Sequence, residues 1–407
     1  MPLREDAAAI GGQLAELRHA IHREPEIGLD LPRTQEKVLA ALDGLPLEIT
    51  TGKTLTSVTA VLRGGARPAS ADGSRPAVLL RGDMDALPVT ELTGLPYASR
   101  FDGVMHACGH DLHTAMVAGA ARLLSGRRAE LAGDVIFMFQ PGEEGYNGAS
   151  WMISEGLLEA AGGQGARPVA AYALHVSSTQ LPCGVFATRP GPMLAAADII
   201  RVRVRGHGGH ASQPHRSADP IPAACEMVTA LQTMVTRQFD VFDPVVVTIG
   251  SFHAGTTDNV IPDEASFLGT ARSYSPQSRA RLREATLRLV TDIATAHGLT
   301  ADAEYVEEYP VTVNDAAEAA FAARTAAEVF GASRSVPAEH PMTGAEDFSF
   351  VLEQVPGAFV SVGACPPDRD PETAPSNHSA EALFDDAALG DGAALYAELA
   401  LRRLTAP

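Results

Sequence analysis

Four short apolar runs, at 56–62, 77–80, 135–139 and 170–174, are each bounded by Gly, Pro or charge. Runs this short and this apolar suit strands covered on both faces rather than strands with one wet side. Helical periodicity fills much of the sequence between them, notably at 111–124 and 149–158. Strand alternating with helix predicts an α/β fold, a mostly parallel sheet with helices on both faces. A first helix carries Leu14, Leu17 and Ile21 on one face, and Pro25 with Gly28 is expected to end it, after which the chain is expected to turn strand-rich.

The rhythm changes at Arg189-Pro190-Gly191-Pro192, a stiff stretch of the kind that joins domains. Beyond it the order reads strand 199–204, helix 219–237, strand 245–249, strand 265–271, helix 276–296 and strand 301–307. That βαββαβ order predicts one four-stranded sheet with two helices on one face. The first pattern then resumes with a helix at 316–330, a strand at 358–362 and an amphipathic helix at 386–404. The expected domains are therefore 1–189 and 309–407 together, with 190–308 inserted between them. A small-residue, turn-rich loop at 65–76 carries no assignable chemistry.

With 407 residues the chain has room for two or three domains. Thirty-one Lys plus Arg against 50 Asp plus Glu leave a formal charge of −19, which repels a phosphate backbone and makes nucleic acid an unexpected partner. No apolar stretch reaches the roughly 18 residues of a spanning helix, so no membrane is expected. The N-terminus mixes both charge signs and does not read as a signal peptide. Cys108, Cys183, Cys225 and Cys365 form no CxxC pair, and the expected compartment is the reducing cytoplasm.

Five polar clusters follow strands, where ligands gather in open α/β sheets. Arg81-Gly82-Asp83-Met84-Asp85 places two carboxylates at i and i+2, on one side of an extended segment; a solvated turn is the alternative. Met105-His106-Ala107-Cys108-Gly109-His110-Asp111 opens a helix with a thiol and imidazoles, which are ligands for zinc-like ions, and its Gly lets the backbone bend. A buried Cys among capping residues, or a Cys nucleophile activated by His110, are the other readings. In Gln140-Pro141-Gly142-Glu143-Glu144-Gly145, adjacent like charges make sense if one carboxylate binds metal while the other serves as base. An acid-rich helix start would also account for them. His175 ends a strand, and His378 lies in Ser376-Asn377-His378-Ser379; either alone would read as structural.

Together the segments RGDMDALPV, MHACGHDLHTAM, PGEEGYNGA, ALHV, GHGGHASQPH, TDNVIPD, TGAEDFSF and NHS, ordered between residues 81 and 386, resemble the amidohydrolase branch of the aminoacylase and carboxypeptidase-G metallopeptidase clan. That branch includes hippurate hydrolases, N-acyl-amino-acid amidohydrolases and indole-acetyl-amino-acid hydrolases. The resemblance implies a di-metal catalytic domain with an inserted ferredoxin-like domain. It makes Cys108, His110, Glu144, His175 and His378 the ligands of two divalent ions, with Cys108 bridging; zinc is expected, or manganese, cobalt or nickel. Glu143 falls at the general-base position, and Asp85 matches the aspartate that orients the ligands. Asp83 stands where many relatives carry a ligating His, which leaves its role open.

In the inserted domain His210 matches an imidazole that meets the substrate carbonyl, often across a dimer interface. Asn259 and Arg272 match groups that hold the substrate's carboxylate, and Gly344 lies in a substrate-facing loop. The implied activity is hydrolysis of N-acyl amino acids to a carboxylic acid and an amino acid by a metal-bound hydroxide with Glu143 as base. The implied assembly is a homodimer or a higher homo-oligomer. A dipeptidase or carboxypeptidase of the same fold, or a non-catalytic metal-dependent binding protein, are the rivals. His106 and His113 are expected to pack or to hydrogen-bond near the ligands rather than to bind metal.

Overall fold

A computed structural model describes residues 3–66, 75–162 and 167–405, so most of the turn-rich loop at 65–76 lies outside the described residues. In chain order the strands are β1 (Leu47–Thr51), β2 (Val58–Leu62), β3 (Ala77–Asp83), β4 (Asp134–Gln140), β5 (Ala170–Pro182), β6 (Phe186–Thr188), β7 (Gly191–Leu194), β8 (Ala196–Arg205), β9 (Gly209–His210), β10 (Val245–Ala254), β11 (Val260–Ile261), β12 (Glu264–Ser273), β13 (Thr300–Tyr309), β14 (Thr312–Asn314), β15 (Ser335–Pro337) and β16 (Gly357–Cys365). The helices are α1 (Leu3–His22), α2 (Pro32–Leu42), α3 (His110–Gly126), α4 (Gly148–Ser154), α5 (Pro220–Gln238), α6 (Pro276–Ala296), α7 (Ala316–Phe330), α8 (Ser349–Leu352) and α9 (Ala387–Thr405).

The chain forms two compact units. The larger comprises Met1–Met193, Val313–His340 and Phe350–Pro407, and the smaller comprises Leu194–Thr312 and Pro341–Ser349. In the larger unit eight strands form one sheet in the order β1-β2-β4-β3-β5-β16-β6-β15. Its centre is parallel: β3 pairs with β4 and β5, and β5 with β16, while β1 and β2 are antiparallel additions at one edge. Every residue of β3, β4 and β16 is buried, as strands covered on both faces require. Helices α1, α3 and α9 pack on one another, and α3 and α9 on β3, with Leu14, Met116, Ala393 and Tyr396 among the buried residues.

One helix departs from the sequence reading. The segment after Gly28 was expected to be strand-rich, yet α2 starts there with Pro32 in its first turn. Proline breaks a helix interior but fits the first turn, where its missing N–H has no partner to lose.

In the smaller unit four antiparallel strands run in the order β10-β12-β8-β13, the ferredoxin-like arrangement of a βαββαβ chain. Ile200, Val202, Val204 and Phe267 pack with Met227, Leu231, Leu282 and Val290 of α5 and α6 to make a separate core. Both helices start on a capping residue followed by Pro. The Asp219 carboxylate accepts from the Ile221 N–H and the Ser275 hydroxyl from the Ser278 N–H, each at 3.0 Å. No described helix is long and apolar enough to cross a membrane.

Candidate metal centre

Six polar side chains of the larger unit converge near β3, β4 and β5. Cys108 and His110 flank Gly109, which takes a left-handed φ of +84° at the entrance to α3. A Cβ on Gly109 would stand 2.3 Å from Val176 Cγ2, so only glycine lets the turn press against β5. Glu143 and Glu144 leave β4 through Gly142, at φ +72°, where a Cβ would meet Leu29 Cδ2 at 2.5 Å. His175 lies on β5, and His378 sits in a loop after β16 with a left-handed φ of 71°, its N–H donating to the Ala107 carbonyl at 2.8 Å.

Two close groups of donor atoms share one sulfur, and His110 also lies close to Glu143 and Glu144. The donor atoms of Cys108, His110 and His175 lie within 4.8 Å of one another, as do those of Cys108, Glu144 and His378. Cys108 Sγ is 3.4 Å from His175 Nε2 and 3.3 Å from His378 Nε2. Glu144 Oε1 lies 3.2 Å from His378 Nε2, while Glu143 Oε2 is 4.0 Å from His110 Nε2. His175 Nδ1 is 2.9 Å from the Val176 carbonyl, which can only accept. The proton therefore sits on Nδ1, and the Nε2 lone pair points to the shared sulfur.

Asp85 organises two pieces at once. Its oxygens accept the backbone N–H groups of Glu143 and Glu144, each at 3.0 Å, and Oδ1 lies 3.4 Å from His110 Nδ1. One buried carboxylate thus fixes both the glutamate turn and an imidazole. Asn377 performs a similar task for the loop of His378. Its amide donates to the Cys108 and Val176 carbonyls at 3.2 and 2.9 Å, and its oxygen accepts the Ser178 N–H at 2.9 Å.

The electrostatics follow from burial and pairing. Burial drives His175 well below the ordinary imidazole range, so it is neutral, as a ligand must be. Hydrogen bonds to Cys108 and Glu144 push His378 up to about 10 against a smaller opposing effect of burial. Burial opposes ionisation of Glu144, but the His378 bond and the His110 charge hold its carboxyl below the usual range. A proton on His378 occupies the lone pair that an ion would use, so proton and metal compete there. Thiolate, imidazole and carboxylate oxygen in this number suit a divalent transition ion, and the lone pair of His175 already points inward.

His113 and His106, expected near the ligands but not among them, occupy different settings. His113 bonds to Asp83 and to the Val176 N–H, at 2.6 and 2.8 Å. Burial drives His106 down to about 3, and neither of its ring nitrogens has a hydrogen-bond partner among the described residues. Sequence reading missed Arg81, Asn377 and the buried Arg18–Asp111–His22 cluster. Arg18 Nε and His22 Nδ1 reach the same Asp111 oxygen at 3.0 and 2.9 Å, which anchors the first turn of α3.

The remaining predicted residues belong to the smaller unit. His210 on β9 is opposite Val260 of β11, and the Ala211 N–H donates to the Asn259 carbonyl at 3.1 Å, so His210 and Asn259 are neighbours. His210 Nδ1 accepts the Ser212 N–H at 3.1 Å, which leaves its Nε2 to carry the proton. Arg272 lies near the far end of β12, opposite Ala197, whereas Glu264 at the near end pairs with Arg205 just before the β9 turn. Eight residues of strand separate Glu264 from Arg272, about 26 Å at the usual rise. Arg272 thus lies well along β12 from the end that adjoins the β9 turn. Gly344 accepts the Ala195 N–H at 3.0 Å, and a Cβ there would meet only Leu194 Cδ2, at 4.0 Å, so this unit imposes no steric need for glycine.

Comparison with known proteins gives this donor set its class: the chain is a metal-dependent amidohydrolase. It belongs to Peptidase family M20/M25/M40, whose sequence pattern matches residues 79–402. It is 35% identical over 404 residues to thermostable carboxypeptidase 2 of Saccharolobus solfataricus, covering 98% of each chain. N-acetylcysteine deacetylase of Bacillus subtilis is 36% identical over 390 residues, with 96% of each covered. A dinuclear metal-binding peptidase of the M20 family from Bacillus subtilis superposes with a TM-score of 0.81 at 32% identity, over 98% of this chain and 99% of that one.

Proposed function

We propose that the protein hydrolyses the amide bond of N-acyl amino acids, releasing a carboxylic acid and a free amino acid. The observation that carries this reading is the convergence of Cys108, His110, Glu144, His175 and His378 beside a second, buried glutamate, Glu143. In this reading Cys108, His110 and His175 hold one divalent ion, and Cys108, Glu144 and His378 a second. Bound there, the ions acidify water and polarise the amide carbonyl. A thiolate ligand favours zinc or a neighbouring transition ion over magnesium or calcium, with manganese, cobalt and nickel as further occupants.

The chain's own residues do the rest. Glu143 takes the proton of the attacking water and returns it to the nitrogen as the carbon–nitrogen bond breaks. Asp85 keeps Glu143 in place through its backbone N–H. Arg272 offers a planar fork to the amino acid's carboxylate. His210, with its proton on Nε2, donates to the carbonyl oxygen, with Asn259 beside it. Because Arg272 and the His210–Asn259 pair lie at opposite ends of β12, we assign them to one substrate from two copies of the chain, as a homodimer supplies. Gly344 is assigned to the substrate-facing loop on the resemblance alone. Four free cysteines suit a reducing compartment, here the cytoplasm.

The deacetylase relative, by its name, acts on an N-acylated amino acid, and the carboxypeptidase relative favours a second reading, removal of a C-terminal residue from a peptide. Both substrates present an amide next to a free carboxylate. A panel of N-acyl amino acids and short peptides, assayed before and after chelation, tests the proposal. Expected are higher kcat/KM on N-acyl amino acids and loss of turnover on metal removal, restored by added ions. Unchanged turnover in metal-free protein would defeat it, and higher kcat/KM on peptides would transfer the assignment to the carboxypeptidase reading.

A further inference from the structure

Asp83 is fully buried, stands between the two ligand-bearing elements β5 and α3, and has so far no task. Both of its oxygens are engaged. Oδ2 receives Arg81 Nη1 at 2.5 Å, and Oδ1 lies 2.6 Å from His113 Nδ1. On the far side of the ring, His113 Nε2 is 2.8 Å from the Val176 N–H, which can only donate. His113 must therefore accept at Nε2 and carry its proton on Nδ1, directed at Asp83. Every hydrogen from Arg81 to Val176 is then assigned.

The chain of contacts ends on the peptide that links His175 to Val176. The same residue, Val176, accepts the Nδ1 proton of His175 on its carbonyl at 2.9 Å, in the next peptide along, so His113 and the His175 ring grip the two adjacent peptide groups of one residue. Asp83 Oδ2 lies 3.5 Å from His110 Nε2 as well, and the His113 ring centroid is 4.7 Å from that of His175 and 5.4 Å from that of His110. Asp83 and His113 touch His110 directly and His175 through Val176, whereas Glu144 and His378 are reached only one step further on, through His110 Nε2 at 3.9 Å from Glu144 Oε1 and through Asn377, whose amide donates to the Val176 carbonyl. The Asp83, His110 and His113 donor atoms also lie close together. A third ion there would have to displace both the Arg81 ion pair and the Val176 hydrogen bond.

We propose that Asp83 is a positioning residue for the donor group it reaches directly: held by Arg81, it acts through His113 and Val176 to orient His175 and, by proximity, His110, and it does not itself bind metal. The inference rests on the reading that Cys108, His110 and His175 hold an ion. Arg81 is kept in register by Gln140, whose side-chain oxygen accepts from Nε at 2.9 Å, so the carboxylate is fixed before any ion arrives. Partners of metal-bound imidazoles commonly change metal affinity 10–100-fold (about that range) when removed.

The test is a cobalt(II) titration of metal-free protein, followed by calorimetry and by the thiolate–cobalt absorption band. The wild type should show two binding events. Asp83→Asn should weaken one of them by about 10–100-fold and leave the other within about twofold. His113→Gln should do the same, and the double variant should be no weaker than the weaker single variant, as residues acting in series require. Equal weakening of both events, an unchanged Asp83→Asn titration, or losses that multiply in the double variant would each overturn the inference. If Asp83→Asn does not fold, His113→Gln carries the affinity test. Amide exchange at Val176 in metal-free protein then reports the link directly: exchange no faster in His113→Gln than in wild type overturns it. A wild type that binds no cobalt would remove the metal reading itself, a result distinct from a wild type with two sites and an indifferent Asp83.

Discussion

The polar residues assigned to chemistry in the larger unit are buried or partly buried, with the exposed His378 the exception, and those of the smaller unit are exposed or half-buried. In the larger unit Asp83, Asp85, His110 and Glu143 are buried, and each of them is held by a neighbour. In the smaller unit His210 and Asn259 are exposed and Arg272 is half-buried. Charge pairs divide less strictly, since Asp198 of the smaller unit is buried against Arg279. Arg18, Asp111 and His22 form a cluster almost without solvent contact, whereas Arg201–Glu304 and Arg205–Asp302 bridge neighbouring strands in open water. The difference teaches where rigidity is placed. Groups that meet ions and the reacting bond are fixed in advance, and groups that grip a substrate are left to adapt.

The sharpest way to break this contrast is at Glu143. Glu143→Gln keeps the shape of the turn and its backbone contact with Asp85, so both metal-binding events should persist. Turnover should fall by about 10²–10⁴, the usual contribution of a positioned general base. Near-normal kcat in that variant would mean that the fixed unit does not supply the base.

A second effect concerns stability. Burial opposes protonation of His22, but Asp111 and Glu91 outweigh it and raise the imidazole to about 9. Its unfolded value is near 6.5, so the protonated form is favoured by folding. This contribution is complete below about pH 6.5 and disappears as pH rises through about 9; at full strength it is at most about 3 kcal/mol. Urea midpoints measured at pH 6 and pH 9.5 should fall more steeply in the wild type than in His22→Gln. Parallel slopes would show that the buried cluster is not charged as described.

The smallest expected effect bears on the exposed side. His210→Ala and Arg272→Met homodimers should each be poorly active, while an equal mixture allowed to exchange subunits should recover about a quarter of wild-type activity, because half the dimers then hold one intact pair. No recovery in a mixture shown to exchange would return both residues to a single copy and break the proposed division.

Much of the fold was legible because burial imposes apolar runs. Strands β3, β4, β5 and β16 all include such a run, and α6 and α7 begin where a capping Ser or Asp precedes them. Helix α2 was hidden by Pro32, which reads as a breaker until its place in the first turn is known. The five converging donors came from motif order and resemblance, and the bend at Gly109 from the chemistry of the segment itself. Arg81 and Asn377 were passed over because their partners are remote in the chain: Gln140 and Ser178 lie 59 and 199 residues away. A signal for Arg81 did exist. An arginine at the end of a wholly apolar strand must find a buried acid, and Asp83 two residues on is the nearest.

The single sulfur between the two donor groups sets a proton inventory. In the proposed pocket the Cys108 thiol ionises once, for whichever cation arrives first, and the latecomer finds a thiolate already made. Loading would therefore release the sulfur's hydrogen only in the opening step, while the proton that competes on His378 leaves whenever the Glu144–His378 group fills.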